Sequence, residues 1–326
     1  MAQFITRETN QSLSSESIVF FGTGDVSLAS LKHLASTYRI EAVITKPDSI
    51  NHGRANYPAV KKWAIANSID VHQPENKNDL TEHFESARYI SRVAIVIDYG
   101  TIISDDVIDY FPLGIVNSHF SLLPELRGAD PITFSLLSGQ DETGVSLMKI
   151  NPRLDEGDII IRDRLEISED DTNKTLTDKL IDKSNELLSV YLPQYMAGQI
   201  KLQPQKEDTA SYSKKISKID GVLDFNKSAA RLEREVRAYQ PWPGSYTSID
   251  GTVAIFTSSE VAWQKTDFQP GTFVLLSKNQ LGVVCGDGIL EIKSLKPQGK
   301  NIMDSQAFLA GRQSFKTSLP MLQDQD

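Results

Sequence analysis

Ile18-Val19-Phe20-Phe21-Gly22-Thr23-Gly24-Asp25 is the stretch whose pattern sets the architecture. Four consecutive apolar residues make a strand that must be covered on both faces, because an unbroken run has no polar side to offer water. The glycine-rich turn after it opens a helix-type stretch at 26–36. The pairing recurs: 40–45 and 93–97 are further β-branched apolar runs, and 58–67 reads as a helix between them. Strand and helix alternation of this kind builds a Rossmann-like α/β fold, a mostly parallel sheet with helices on both faces. Gly22 and Gly24 sit where a dinucleotide-binding fold keeps its phosphate turn, but Ser27 holds the third glycine position and Asp48 lies in a Lys46-Pro47-Asp48 turn. A tight turn that packs well explains the two glycines equally.

Farther along, 115–117, 145–150 and 158–161 read as strands. Residues 174–196 read as a long helix with leucines at 176, 180, 187 and 188, and Gly198 terminates it. A catalytic domain is therefore expected over 17–200, preceded by a polar tail at 1–16. The stretch 201–212 is polar with one proline and reads as a linker. Beyond it the pattern changes. After a helix-type segment at 228–238, short runs at 245–249, 252–257, 271–276, 282–285 and 289–295 alternate with Gly and Asp turns. They predict a smaller C-terminal OB-like β-barrel domain over 213–326, closed by a helix at 305–312.

The 326 residues are 40% hydrophobic, which suffices for two cores. The longest apolar runs resemble the five residues 93–97, against the roughly 20 that a bilayer helix needs, so no membrane segment is expected. Residues 1–16 lack an apolar signal core. Cys285 stands alone and the five histidines are scattered, so neither a disulfide nor a metal site is expected, and the chain reads as cytoplasmic. The net charge of −9 is uneven: residues 1–205 hold 19 basic and 29 acidic side chains, and 206–326 hold 15 and 14. The acidic part disfavours a polyanion. The later part still gathers Lys214, Lys215, Lys218, Lys227, Arg231, Arg234 and Arg237 into one stretch, either a basic patch or a solvated helix face.

Chemistry concentrates in Gly114-Ile115-Val116-Asn117-Ser118-His119 and the loop that follows. Ligands of an open α/β sheet bind beyond the carboxyl ends of its strands, and residues two apart on a strand share a face. Asn117, an amide donor, and His119, a proton carrier, then share one site; a structural histidine is the plainer reading of residue type alone. Leu154-Asp155-Glu156-Gly157-Asp158 places three carboxylates in a loop between strands. It is an exposed acidic turn or, at the same edge as Asn117, the source of a carboxylate that orients His119 or holds a water.

On Asn117, His119, Ser121-Leu122-Leu123-Pro124, Arg127-Gly128-Ala129 and Asp155, together with Thr143-Gly144-Val145 and the Lys46-Pro47-Asp48 turn, the chain resembles the folate-dependent formyltransferases. The likeness runs through nearly all of the chain after residue 16. Tyr239-Gln240-Pro241-Trp242-Pro243 resembles the family's entry into its C-terminal domain, and Gly286-Asp287-Gly288-Ile289-Leu290 and Leu295-Lys296-Pro297-Gln298-Gly299-Lys300 resemble the end of its methionyl-tRNA branch. The resemblance implies formyl transfer from 10-formyltetrahydrofolate, a co-substrate used without a metal, to the α-amine of methionine on initiator tRNA. It implies catalysis by Asn117, His119 and Asp155. It also implies a folate pocket at Ser121, Leu122, Leu123 and Pro124 with Tyr99 and Gly100, and tRNA contacts from Arg54, Lys214, Lys215 and Arg237. Family members being monomers, a monomer is implied.

The alternative acceptor is an amino-sugar nucleotide, since such formyltransferases share the donor and the three catalytic residues. Two positions depart from the family. Phe120 stands where glycine is usual and is expected to add bulk beside the site, and residues 49–57 carry Arg54 as their only formal positive charge in a loop that is usually basic.

Overall fold

The computed structural model describes residues 16–51 and 54–322, without the side chains of Asn51 and Arg54. The tail expected at 1–16 lies outside these residues apart from Glu16. The chain forms two compact units: one of residues up to Ala129, Thr143–Leu165 and Lys179–Tyr212, the other of Asp130–Glu142, Glu166–Asp178 and the chain from Ser213 onward.

In chain order the elements begin with β1 (Ser17–Phe21), α1 (Asp25–Ala35), β2 (Arg39–Ile44), β3 (Ser49–Asn51), β4 (Arg54–Asn56) and α2 (Ala59–Ala66). There follow β5 (Asp70–His72), α3 (Lys77–Ser86), β6 (Ala94–Val96), α4 (Asp105–Tyr110), β7 (Ile115–His119) and β8 (Arg127–Gly128). After α5 (Pro131–Ser138) come β9 (Glu142–Lys149), β10 (Ile159–Glu166) and α6 (Asn173–Met196). The first unit's sheet runs β10-β9-β7-β6-β1-β2-β5. β1 is parallel to β2 and β6, β2 to β5 and β6 to β7, while β9 returns antiparallel on β7 with Asn117 opposite Met148. The sheet is thus mostly parallel, as expected, with a reversed strand beside the chemistry.

All five residues of β1 are buried. Phe21 stacks on Phe84 of α3 at 6.0 Å between ring centroids and meets Tyr99 edge-on at 5.4 Å, so helix and sheet interlock through aromatic rings. The N-terminus of α3 is fixed by Asn76, whose side-chain oxygen accepts from the Asn78 and Asp79 N–H groups. The turn after β1 answers the question its two glycines raised. The Ser27 hydroxyl accepts the Thr23 N–H at 3.0 Å and donates to the Ile97 carbonyl at 2.7 Å. A Cβ on Gly22 would fall 2.6 Å from that of Ser27, so glycine here serves close packing. Gly198 ends α6 in the left-handed conformation at φ +69°.

The second unit contains α5, capped by Asp130 with proline in the first turn. Its later elements are β11 (Tyr212–Ser213), which straddles the boundary, α7 (Ala229–Ala238), β12 (Ser245–Ile249), β13 (Thr252–Ala262), β14 (Phe273–Ser277) and β15 (Gln280–Val284), then β16 (Ile289–Pro297), β17 (Met303–Asp304), α8 (Ser305–Ala310) and α9 (Gln313–Ser318). The sheet is antiparallel in the order β12-β13-β16-β15-β14, with β17 added on β16. Leu232 and Val236 of α7 join Phe256, Leu290, Phe308 and Leu309 in its core. Among the described residues no helix is long and apolar enough to cross a membrane, and no group of three or more His, Cys, Asp or Glu is placed to hold a metal.

Candidate active site

Phe21, Val96 and Asn117 are register partners across three parallel strands. At a strand spacing of about 4.8 Å, the turn after β1 and the Asn117 backbone therefore lie about 10 Å apart on the carboxyl edge of the sheet. Asn117 and His119 occupy the end of β7, and the loop from β9 to β10 brings Asp155 to them. The Asn117 Nδ2 donates to Asp155 Oδ1 at 3.4 Å, and His119 Nδ1 lies 3.8 Å from Asp155 Oδ2. The His119 and Asp155 side chains are 7% and 11% exposed, so their mutual field is little screened.

The protonation geometry follows from the partners. His119 Nε2 is 2.9 Å from the Leu126 carbonyl, which can only accept, so Nε2 carries a hydrogen and Nδ1 is the ring nitrogen that faces Asp155. Asp155 Oδ2 also accepts the Gly128 N–H at 2.8 Å. Two backbone conformations support this arrangement. Asp155 and Leu126 are both left-handed, at φ +53° and +55°, a state that costs a non-glycine residue about 1–3 kcal/mol and persists only where the surroundings enforce it.

Ser121 to Pro124 form a braced loop. The Ser121 carbonyl accepts from Ser146 Oγ, the Leu122 carbonyl from the Glu125 N–H, the Leu123 carbonyl from Arg162 and the Pro124 carbonyl from the Ser211 N–H. Ser121, Leu123 and Pro124 are buried, and Leu122 alone is partly exposed. Phe120 is 6% exposed, so the bulk expected beside the site packs into the interior. Tyr99 likewise turns inward, where burial lifts its phenol to about 12, and its carbonyl accepts from Thr23. Gly100, at φ +69°, Thr101 and Ile102 remain exposed beyond β6.

Sequence reasoning missed Arg127, Gln205 and Glu207 as a unit. Arg127 is fully buried. Its guanidinium donates to Gln205 Oε1 at 3.0 and 3.2 Å, to both Glu207 oxygens and to Tyr212, with Glu156 at 3.5 Å. Those hydrogen bonds hold the Glu207 carboxyl below its usual range. Residues 78 to 80 apart leave no local periodicity to find, and the sequence around Arg127 does not reveal that it is buried.

A cleft of 620 Å³ opens past the turn after β1, lined by Thr23, Gly24, Asn56, Tyr57, Lys62 and Trp63 among others; Asn117, His119 and Asp155 are not among its walls. The residues expected to meet tRNA differ in freedom. Arg54 pairs through its backbone with Asn51, and its side chain lies outside the described part. Lys214 is exposed but ion-paired to Asp220 at 2.7 Å. Lys215 and Lys218 are exposed without an ion-pair partner among the described residues. Arg237 is tied to Glu233 at 2.6 Å and to the Asp171 carbonyl.

Residues 16–192 match the family described as formyl transferase, and 215–313 match its C-terminal domain. Fold and matched regions together define the class, a two-domain formyl transferase. The methionyl-tRNA formyltransferase of Methylococcus capsulatus is 38% identical over 295 residues, 90% of this chain and 96% of the relative. That of Lachnospira eligens is 35% identical over 305 residues, 91% and 96%. A solved sugar 3N-formyl transferase, WlaRD, shares the fold with a TM-score of 0.65 at 20% identity, covering 88% of this chain and 100% of its own. The chain belongs to the methionyl-tRNA formyltransferase family.

Proposed function

We propose that this chain transfers the formyl group of 10-formyltetrahydrofolate to the α-amine of methionine esterified to initiator tRNA, giving N-formylmethionyl-tRNA for translation initiation. The observation that carries the reading is the meeting of Asn117, His119 and Asp155 at the end of β7, in a chain whose 35–38% identical relatives are methionyl-tRNA formyltransferases. Formyl transfer breaks one carbon–nitrogen bond, forms another and moves one proton from the attacking amine to the leaving nitrogen. Asn117 Nδ2 has one hydrogen directed at Asp155 and a second free to donate to the formyl oxygen as negative charge grows there. His119 Nδ1 takes the proton from the attacking amine and delivers it to the leaving folate nitrogen, and Asp155 stabilises the imidazolium between those steps. The 3.8 Å separation is the loose geometry common before substrate binds.

A folate donor fits the residues present. Leu122 and the exposed loop carrying Gly100 and Ile102 offer apolar surface for a flat ring at the rim that holds Asn117. Pro124, Ser121 and Leu123 act from behind by bracing that surface. We assign the cleft beside Tyr57 and Lys62 to the aminoacyl end of the RNA, Arg54 reaching toward its stem. We take 17–200 as the catalytic domain, 201–212 as the connection and 213–326 as the RNA-holding domain, with Lys215 and Lys214 as phosphate contacts. The protein works as a cytoplasmic monomer, and its affinity for RNA falls steeply with salt. An amino-sugar acceptor is the weaker reading, because the sugar formyltransferases compared are 19–20% identical to this chain, against 35–38% for the methionyl-tRNA formyltransferases.

The test is formylation of charged initiator tRNA by His119→Ala and Asn117→Ala. Loss of one such donor costs ~10²- to 10³-fold in turnover. Near-normal turnover in either variant overturns the site assignment.

A further inference from the structure

Both strained residues at the site are held from one distant segment. Leu126, whose carbonyl takes the His119 hydrogen, donates its N–H to Ser211 Oγ at 2.9 Å, and the Arg127 N–H donates to the Ser211 carbonyl at 2.9 Å. On the other side, Gln205 Nε2 donates to the Asp155 carbonyl at 2.7 Å and the Gly157 carbonyl at 2.8 Å. Gln205 Oε1 meanwhile accepts twice from the buried Arg127 guanidinium. An amide has two donor hydrogens and two acceptor lone pairs, and here all four are used. Gln203 fixes the segment one step earlier by exchanging both backbone hydrogen bonds with Ile159, at 2.8 and 2.9 Å. Gln205 is half-buried although its neighbours on either side are exposed. A linker that merely connects has no need of a saturated amide aimed at two carbonyls of the acidic loop.

We propose that Gln205 is a positioning residue for formyl transfer: by bridging Arg127 to the Asp155 and Gly157 carbonyls, it holds Asp155 in the left-handed conformation that aims its carboxylate at Asn117 and His119. The inference rests on the formyl-transfer reading above. Gln205 touches neither substrate nor reacting atoms. Its effect is geometric, and misplacement of a reacting group by about 1 Å costs about 10²-fold in rate.

Gln205→Glu isolates the effect. A carboxylate still accepts from Arg127 but cannot donate to the two loop carbonyls, so the Arg127 cluster stays paired while the Asp155 loop is released. The control is Glu207→Gln, which weakens Arg127 from the opposite side and leaves the Gln205 bonds to the loop in place. Wild-type formylation of methionyl-tRNA is measured first, and its absence refutes the function independently of Gln205. With active wild type, Gln205→Glu is expected to lower kcat 10- to 100-fold and displace the acidic limb of the kcat–pH profile. KM for both substrates should stay within about twofold, and amide exchange should rise at 154–158 in the substrate-free protein. Glu207→Gln should change kcat less than threefold. Wild-type kcat and unchanged exchange in Gln205→Glu overturn the proposal, and so does an equal loss of kcat in both variants, which marks general loosening.

Discussion

Replacing Gly157 by alanine tests how closely the acidic loop must lie against the sheet. Gly157 is buried two residues after Asp155, and a Cβ built on it falls 1.7 Å from the Lys149 carbonyl oxygen and 2.9 Å from the Lys149 carbonyl carbon. A carbon–oxygen contact settles near 3.3 Å, so the loop must retreat by about 1.5 Å from the end of β9. The neighbour is backbone, itself bonded through the Lys149 N–H to the Asp158 carbonyl at 2.9 Å, and cannot give way as a side chain would. A retreat of that size opens the 3.8 Å separation between Asp155 and His119 and the 3.4 Å bond to Asn117. Displacements near 1 Å cost about 10²-fold, so kcat is expected to fall about 100-fold. Overpacking of this kind costs about 1–3 kcal/mol, within the stability of an ordinary domain, so the variant should fold. The assay is single-turnover formylation at saturating substrates alongside a thermal melt. Gly198→Ala serves as the control, because that glycine, at φ +69°, has nothing within 4 Å of a built Cβ, so the added methyl meets no backbone. It should lose about 1 kcal/mol of stability and no activity. A folded Gly157→Ala protein with kcat within threefold of wild type would show that the loop's seat on β9 does not set the rate.

Stability should fall with acid through a pair of stacked histidines. The rings of His72 and His83 lie 3.6 Å apart, His83 Nε2 meets the Tyr89 hydroxyl, and Asp79 is the charged group facing both. Burial holds both imidazoles below the usual value of 6.5, with His72 adding to the effect on His83. Below pH 6.5 the unfolded chain therefore binds protons that the folded one refuses, and stability present at neutral pH is lost as pH drops. His83→Phe should flatten the change in urea midpoint between pH 7 and 5.5, and an unchanged slope refutes the assignment. In the basic stretch, Arg237→Ala should lower the melting temperature through loss of its Glu233 and Asp171 ties, with little effect on RNA affinity beyond that. Lys215→Ala should leave the melt unchanged and reduce the salt dependence of RNA binding by about one counterion, read from a titration across ionic strengths.

What the sequence disclosed was what local rules can carry. The unbroken run 18–21 demanded two-sided burial, and β1 is buried throughout. The two-residue spacing of Asn117 and His119 placed both at one strand end, and Asp155 does reach them. Strand direction was not legible: β9 carries an apolar pattern that a parallel strand would share, yet it runs antiparallel to β7. The braces of the site were hidden for a related reason, since Gln205 lies in polar company that reads as connection and its partners are 48 to 78 residues away. The ion pair of Arg237, by contrast, was legible in the sequence. Glu233 stands four residues before it on the same helix, and that spacing predicts an ion pair in place of a free cation.

The bonds from Gln203, Gln205 and Ser211 also bear on biogenesis. A ribosome that has released every strand of the first sheet, and the long helix after β10, has still not released the residues that hold Leu126 and Asp155 in their strained conformations. Competence thus arrives late, when roughly the last third of the polypeptide is under synthesis. A shortened version cut after the long helix should bury its sheet and yet leave Asn117, His119 and Asp155 slack.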